Sequence, residues 1–287
     1  MEPRSRQISG AHGGSLHLLE WSEQGVPLLL LHGFGNEAHI WGDLGPALAP
    51  YYRTLAMDQR GHGDSDWDPE ARYDHEFMVE DLVHVTASLG IERLVLIGHS
   101  LGGRIATLFA GRHPERMAGL VLVDIGPELD PRGPLRMQQE VGQHTDPRFA
   151  SVEEYARRVS LNYPASSPEA TLRMARDELR QREDGSYELK MDPALRGVMV
   201  ERGPDEALRA REQEMIQAQW DALAKIPCPT LVIRGAASDF LSPDIADRMV
   251  DDVLPNGRLA VVPQAGHSVM SDNPEGFCRA VTDFTVS

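Results

Sequence analysis

A chain of 287 residues, 41% hydrophobic and 25% charged, is long enough to bury a full core and to hold one large domain or a domain with an insertion. Its 28 basic and 44 acidic residues leave a formal charge of −16, a field that repels nucleic acid and anionic membrane. No run approaches the roughly 18 apolar residues of a membrane span, and the first segment, MEPRSRQISGAHGG, has no apolar signal region, so the cytoplasm is the expected location. The two cysteines, Cys228 and Cys278, have no zinc-like spacing and read as small buried residues, not as a disulfide framework.

Short apolar runs alternate with helical patterns through the first half, the signature of βαβ units and a mostly parallel sheet flanked by helices. Residues 28–31 form a continuous apolar run, as in a strand buried on both faces, and Gly33 and Gly35 end it. A helix is expected over 37–48, a strand over 53–57, and a loop over 58–68. Residues 76–89 place Phe77, Val79, Leu82, Val83 and Val85 on a helical period closed by Gly90. A strand at 94–97, a small-residue helix at 103–111 and a strand at 120–123 complete this half.

After Gly126-Pro127 the pattern changes to charged, helical-looking segments with no expected strand, punctuated by Pro131, Pro134, Pro147, Pro164, Pro168, Pro193 and Pro204. Apolar residues recur throughout, so 127–222 reads as a helical insertion and not as a linker. The sheet pattern resumes with a strand at 230–234, a helix at 243–250, a strand at 259–262 and a last helix at 274–284. The chain divides accordingly into a core, 1–126 and 223–287, and the insertion, 127–222.

The strand at 94–97 runs directly into Gly98-His99-Ser100-Leu101-Gly102-Gly103, and a helix follows. This is G-x-S-x-G in the strand–turn–helix setting the motif requires. The serine occupies a strained turn that presses together the residues two before and two after it, and only glycine lacks the Cβ that would clash there. The null alternative is a glycine-rich turn whose serine caps a helix.

With these pieces in place the chain resembles the α/β-hydrolase superfamily over nearly all its length outside the insertion. His32-Gly33-Phe34-Gly35 resembles the family's oxyanion loop, Asp58-Gln59-Arg60-Gly61-His62-Gly63-Asp64-Ser65 the loop after the following strand, and Gly98–Gly103 the nucleophile elbow. The insertion stands where such enzymes carry a helical cap. The resemblance implies an α/β-hydrolase fold with an inserted helical cap and a serine hydrolase of the carboxylesterase or lactonase kind.

A serine hydroxyl needs a base, and the order in this architecture is serine, acid, histidine. Of 11 histidines only His113, His144 and His267 follow Ser100, and His267 alone lies in a loop at the carboxyl end of a core strand. Two aspartates follow strands and qualify as the acid. Asp239 matches the commoner family position and is the expected one, with Asp124 as the alternative. The resemblance implies that the backbone N–H groups of Phe34 and Leu101 form the oxyanion hole.

Other motifs fail. Asp64-x-Asp66-x-Asp68 continues with Pro69 and His75 where a calcium loop needs glycine and glutamate. Arg104-Ile105 stands where a P-loop needs Lys-Ser/Thr, and His75-Glu76 lacks a second histidine four residues on. No metal and no organic cofactor is expected. His62 and Arg60 are expected to brace their loop, His99 to pack, and Trp21, Trp41, Trp67 and Trp220 to anchor core or cap.

The expected partner is a small-molecule substrate with an apolar acyl or alcohol part, and neither nucleic acid nor membrane. Carbon–carbon bond hydrolases of aromatic degradation use the same serine but tend to carry an aromatic residue after the histidine, where Ser268 stands here. A non-catalytic small-molecule receptor of the same fold and an acyltransferase are the remaining alternatives. Substrate identity and oligomeric state leave no mark on the sequence.

Overall fold

The computed structural model describes residues 1–142, 148–163, 165–200 and 206–286. Six strands come first: β1 (Arg4–Ser9), β2 (Ser15–Glu20), β3 (Val26–Leu31), β4 (Tyr52–Met57), β5 (Leu94–His99) and β6 (Met117–Val123). Three short strands follow in the insertion, β7 (Arg148–Phe149), β8 (Leu179–Gln181) and β9 (Tyr187–Leu189), and then β10 (Thr230–Gly235) and β11 (Gly257–Val262). Eight of them form one sheet in the order β1-β2-β4-β3-β5-β6-β10-β11. The β1–β2 and β2–β4 pairs are antiparallel, and every pairing from β4 to β11 is parallel.

Both faces of this sheet are covered, which explains why its central strands are apolar at every position. Leu29 and Leu31 enter one core cluster, with residues of α2 (His75–Ser88) and α3 (Leu101–Arg112). Leu28 and Leu30 enter the other, with Leu44 and Leu48 of α1 (Leu44–Leu48) and Phe277 and Val281 of the C-terminal helix. The same alternation divides Leu94 and Leu96 from Val95 and Ile97, and Leu120 and Leu122 from Val121 and Val123.

The expected strands of the core form, as do its expected helices except that over 37–48, and the differences have local causes. The helix expected over 37–48 is a 3-10 turn, Ala38–Trp41, followed by the separate α1. Pro46 has no N–H and its ring collides with the carbonyl four residues back, so it is tolerated only in a first turn and forces a restart. Strands β1 and β2 were not expected. β1 is a largely exposed edge strand, and β2 buries His17 in the middle of its apolar residues.

Between β6 and β10 lie α4 (Arg132–Gly142), α5 (Val152–Asn162), α6 (Pro168–Glu178), α7 (Pro193–Val200) and α8 (Glu206–Leu223). The three-stranded sheet β7-β9-β8 stands here, where no strand was expected. Its hairpin turns at Asp184-Gly185, with Gly185 at φ +84°, and Phe149, Leu179 and Leu189 make a small core of their own. Met191, Leu195 and Trp220 reach the main core instead. Pro147, Pro164, Pro204 and His144 lie outside the described residues. Three helices complete the chain: α9 (Pro243–Asp247), continued by a π-helical turn over Arg248–Val253, α10 (Val269–Asp272) and α11 (Pro274–Thr285). Among the described residues no helix is long and apolar enough to cross a membrane.

Leu30 is fully buried at the centre of the sheet. Leu30→Ala is expected to lower stability by about 2–5 kcal/mol in urea denaturation, and a loss below about 1 kcal/mol would contradict this packing.

Candidate active site

The carboxyl ends of β3, β5, β6, β10 and β11 converge on one point, as open α/β sheets arrange their ligand sites. Ser100 follows β5 directly, at φ 50° and ψ −113°, and is almost fully buried. The turn is as tight as the motif implies. A Cβ on Gly98 would stand 2.4 Å from the Gly102 carbonyl oxygen, and one on Gly102 would stand 2.3 Å from that of Leu31.

The Ser100 hydroxyl lies 3.0 Å from His267 Nε2, placed to donate to it, and His267 Nδ1 lies 2.8 Å from Asp124 Oδ2. One tautomer satisfies both contacts, with the proton on Nδ1 donated to the carboxylate and Nε2 accepting from the serine. Asp124 is fully buried at the end of β6, and it and Ser100 are two of the four non-glycine residues with positive φ among the described residues. Backbone strain of this kind concentrates at functional sites. Three donors converge on the Asp124 carboxylate: Gly235 N–H (2.9 Å) on Oδ1, and the Ser238 hydroxyl (2.5 Å) and His267 on Oδ2.

The expected acid, Asp239, does not reach His267. Its carboxylate takes both arms of the Arg136 guanidinium from α4, at 2.7 and 3.1 Å. Burial disfavours its charge most strongly of any single influence, but the hydrogen bonds and the charge of Arg136 act against it, and the net shift is below the ordinary carboxylate range. The adjacent Phe240 lies flat on the His267 ring, centroids 3.7 Å apart, and the Arg136 guanidinium stands 5.8 Å from the centroid of Phe240. The geometry thus puts Asp124, the alternative candidate, against His267 and ties Asp239 to the insertion. Asp130 N–H donates to the Phe240 carbonyl, and a Cβ on Gly133 would stand 2.3 Å from the Phe240 ring, so the start of α4 is seated against this segment.

The loop 32–37, whose residues 32–35 are the expected oxyanion segment, leaves β3 beside the elbow. Gly33 passes His99 and Ser100 so closely that a Cβ would stand 2.7 Å from His99 Nδ1. His32 Nδ1 donates to the Gly33 carbonyl and its Nε2 accepts from Gln59 N–H, while the His32 carbonyl accepts from Gly102 N–H and Gln59 Nε2. Among the described residues nothing accepts from the N–H of Phe34 or of Leu101. Leu101 directly follows Ser100 as the first residue of α3, and Phe34 follows Gly33, which packs against Ser100.

Three imidazoles around the site are kept neutral. Burial lowers His32, pushes His62 down to about 3 with help from His32, and holds His99 well below its ordinary value with help from His267. His99 Nε2 donates to the His267 carbonyl at 2.9 Å, so His99 braces the base and does more than pack. Arg60 braces its loop through Asp81 and Asp68.

The three aspartates of the failed calcium loop are committed elsewhere: Asp64 to Lys190, Asp66 to Ser15 N–H, and Asp68 to Arg60 and Arg72. His17, Asp58 and Asp64 lie close enough to share an ion, yet Asp58 Oδ2 already accepts from His17 Nδ1 and from Asp64 N–H. They form a hydrogen-bonded brace.

Sequence reasoning missed Ser238, Phe240 and Arg136. Ser238 also caps its own turn, accepting from Phe240 and Leu241 N–H, a local pattern legible in Ser-x-x-Leu only once the turn is known.

The family model for the alpha/beta hydrolase fold matches residues 26–274. Among curated proteins the chain is 27% identical over 262 residues to a 2-(acetamidomethylene)succinate hydrolase of Mesorhizobium japonicum, covering 91% of this chain and 88% of that one. It is 30% identical over 286 residues to a 3-hydroxybutyrate-oligomer hydrolase of Cupriavidus necator, covering 96% and 94%. Among solved structures it resembles an alpha/beta hydrolase from Novosphingobium aromaticivorans, with a TM-score of 0.82 and 31% identity over 99% of this chain and 98% of that one. Sheet order, elbow and sequence agree, and the chain belongs to the α/β-hydrolase family.

Proposed function

We propose that this protein is a serine hydrolase that cleaves a carboxylic ester or lactone by acyl transfer, with Ser100 as nucleophile, His267 as base and Asp124 as the acid that orients it. The observation that carries this reading is the unbroken chain from Ser100 Oγ to His267 Nε2 and from His267 Nδ1 to a fully buried carboxylate. In the first half-reaction His267 Nε2 accepts the hydroxyl proton as Oγ attacks the carbonyl carbon. The Phe34 and Leu101 N–H groups receive the negative charge that develops on the carbonyl oxygen. The tetrahedral adduct collapses as His267 returns the proton to the leaving alkoxide, and the acyl group remains on Ser100. A water molecule, deprotonated by the same imidazole, repeats the cycle and releases the acid.

Asp124 serves by keeping the Nδ1 proton in place and by stabilising the imidazolium, and its other donors keep the carboxylate aimed at the ring. Phe240 covers one face of that ring, which limits water around the pair. The segment 127–222 acts in this reading as a cap, attached beside the site through Arg136. Phe34 and Leu101 present partly buried apolar surface next to the nucleophile, which suits a substrate with an apolar acyl or alcohol part.

Ser100→Ala is expected to abolish hydrolysis of p-nitrophenyl esters by at least about 10³-fold while the protein stays folded. Retained turnover in that variant would end the acyl-transfer reading. Ser238→Ala removes one donor from Asp124 and is expected to lower kcat roughly 10-fold with KM little changed, about the worth of a hydrogen bond to a charged group. A change confined to KM would show that Ser238 does not act through the acid.

A further inference from the structure

Helix α6 ends on both of the loops that carry the proposed chemistry. At its C-terminal end Glu178, its last residue, is buried and accepts from Asn36 Nδ2 at 3.3 Å. Asn36 belongs to the oxyanion loop, and its own N–H donates to the Gly33 carbonyl at 3.2 Å, one residue from Phe34. The other Glu178 oxygen accepts from the Tyr155 hydroxyl of α5 at 2.6 Å. Just before the N-terminal end of α6, the Ser166 hydroxyl donates to Asp272 Oδ1 at 2.9 Å. Asp272 Oδ2 accepts from Gly266 N–H at 2.8 Å, and Gly266 immediately precedes His267. An 11-residue helix is about 16 Å long, so α6 spans the site from the base to the oxyanion loop.

We propose that α6 is a strut that sets the distance between the two catalytic loops, with Glu178 as the positioning residue for the oxyanion loop and Ser166, through Asp272, for the histidine loop. This rests on the acyl-transfer reading for its catalytic consequence. A helix of three turns is stiff, whereas each loop is held to it by a side-chain carboxyl that accepts on both oxygens. Loosening either end lets the oxyanion donors drift relative to the serine, and misplacement of a reacting group by about 1 Å costs up to roughly 10²-fold in rate.

The groups that face Glu178 are Tyr155 from α5, Asn36 and Glu37 from the loop, His39 from the 3-10 turn and Asp177 from its own helix. Arg196 of α7 acts on Tyr155. Burial first, then Glu37 and Asp177, raises Glu178 to about 8, while the Tyr155 and Asn36 hydrogen bonds oppose the rise. Because the folded-state value is raised, ionisation of Glu178 costs folding stability as pH climbs through about 8, while the Asn36 and Tyr155 hydrogen bonds, which favour the carboxylate, keep the tie to the loop.

The test measures kcat and KM for p-nitrophenyl acetate between pH 6 and 9.5 in wild type, Glu178→Ala, Glu178→Gln and Ser166→Ala, with thermal melts as the folding control. The strut predicts a kcat loss of about 10-fold in Glu178→Ala and several-fold in Ser166→Ala, with KM within about 2-fold. It predicts a smaller kcat loss in Glu178→Gln, whose amide oxygen keeps one of the two accepting contacts, than in Glu178→Ala. Amide hydrogen exchange over residues 33–37 in Glu178→Ala and 266–268 in Ser166→Ala should quicken whether or not the ester is turned over. Unchanged kcat and unchanged exchange in folded Glu178→Ala and Ser166→Ala would overturn the strut. An inert wild type whose Ser100 resists a fluorophosphonate would instead overturn the acyl-transfer reading, leaving the exchange result to decide the strut.

Discussion

The site depends on how the chain holds one buried negative charge at the end of β6. Asp124 is wholly removed from water, and a carboxylate left there without hydrogen-bond partners would carry a large desolvation cost. Three donors from three different segments prevent this: the last residue of β10, the turn after it, and the loop after β11. Each of those segments is thereby located relative to β6. Gly235 shows how closely they meet, since a Cβ there would stand 2.1 Å from the Gly266 carbonyl oxygen. The left-handed backbone at Asp124 is the strain that this convergence sustains.

Around that anion the protein uses uncharged imidazoles as hydrogen-bonding parts. His32, His62 and His99 are all buried and depressed, and His99 lies 4.8 Å from His267 ring to ring. A second positive charge there would oppose the imidazolium that the proposed mechanism forms, whereas a neutral ring donates to the His267 carbonyl without that penalty. The formal charge of −16 therefore says little about the site, whose electrostatics are set by burial and by local pairs such as Arg136 with Asp239.

The sheet, the elbow and the histidine were legible because each is a local pattern: alternating apolar runs, glycines two residues either side of a serine, and a histidine just past a strand. The acid was not. Asp124 and Asp239 each follow a strand, and nothing in either neighbourhood says which way the side chain turns. That choice is made by Arg136, 103 residues from Asp239, and by Ser238, whose hydroxyl reaches back 114 residues to Asp124. Pro46, which breaks the helix expected over 37–48, and Asp184-Gly185, which turns the hairpin in the insertion, were visible signals. The ties from α6 to Asn36 and Asp272 have no sequence signature, because they join polar residues more than 100 positions apart.

The central claim is that Asp124, and not Asp239, orients the base, and the paired variants Asp124→Asn and Asp239→Asn test it most directly. Steady-state hydrolysis of one p-nitrophenyl ester should fall by about 10⁴-fold in kcat for Asp124→Asn, the size of effect that follows when the imidazole loses its correct tautomer. Asp239→Asn, which breaks only the pair with Arg136, should stay within about 10-fold of wild type. The reverse pattern, a collapse in Asp239→Asn with Asp124→Asn largely active, would contradict the account.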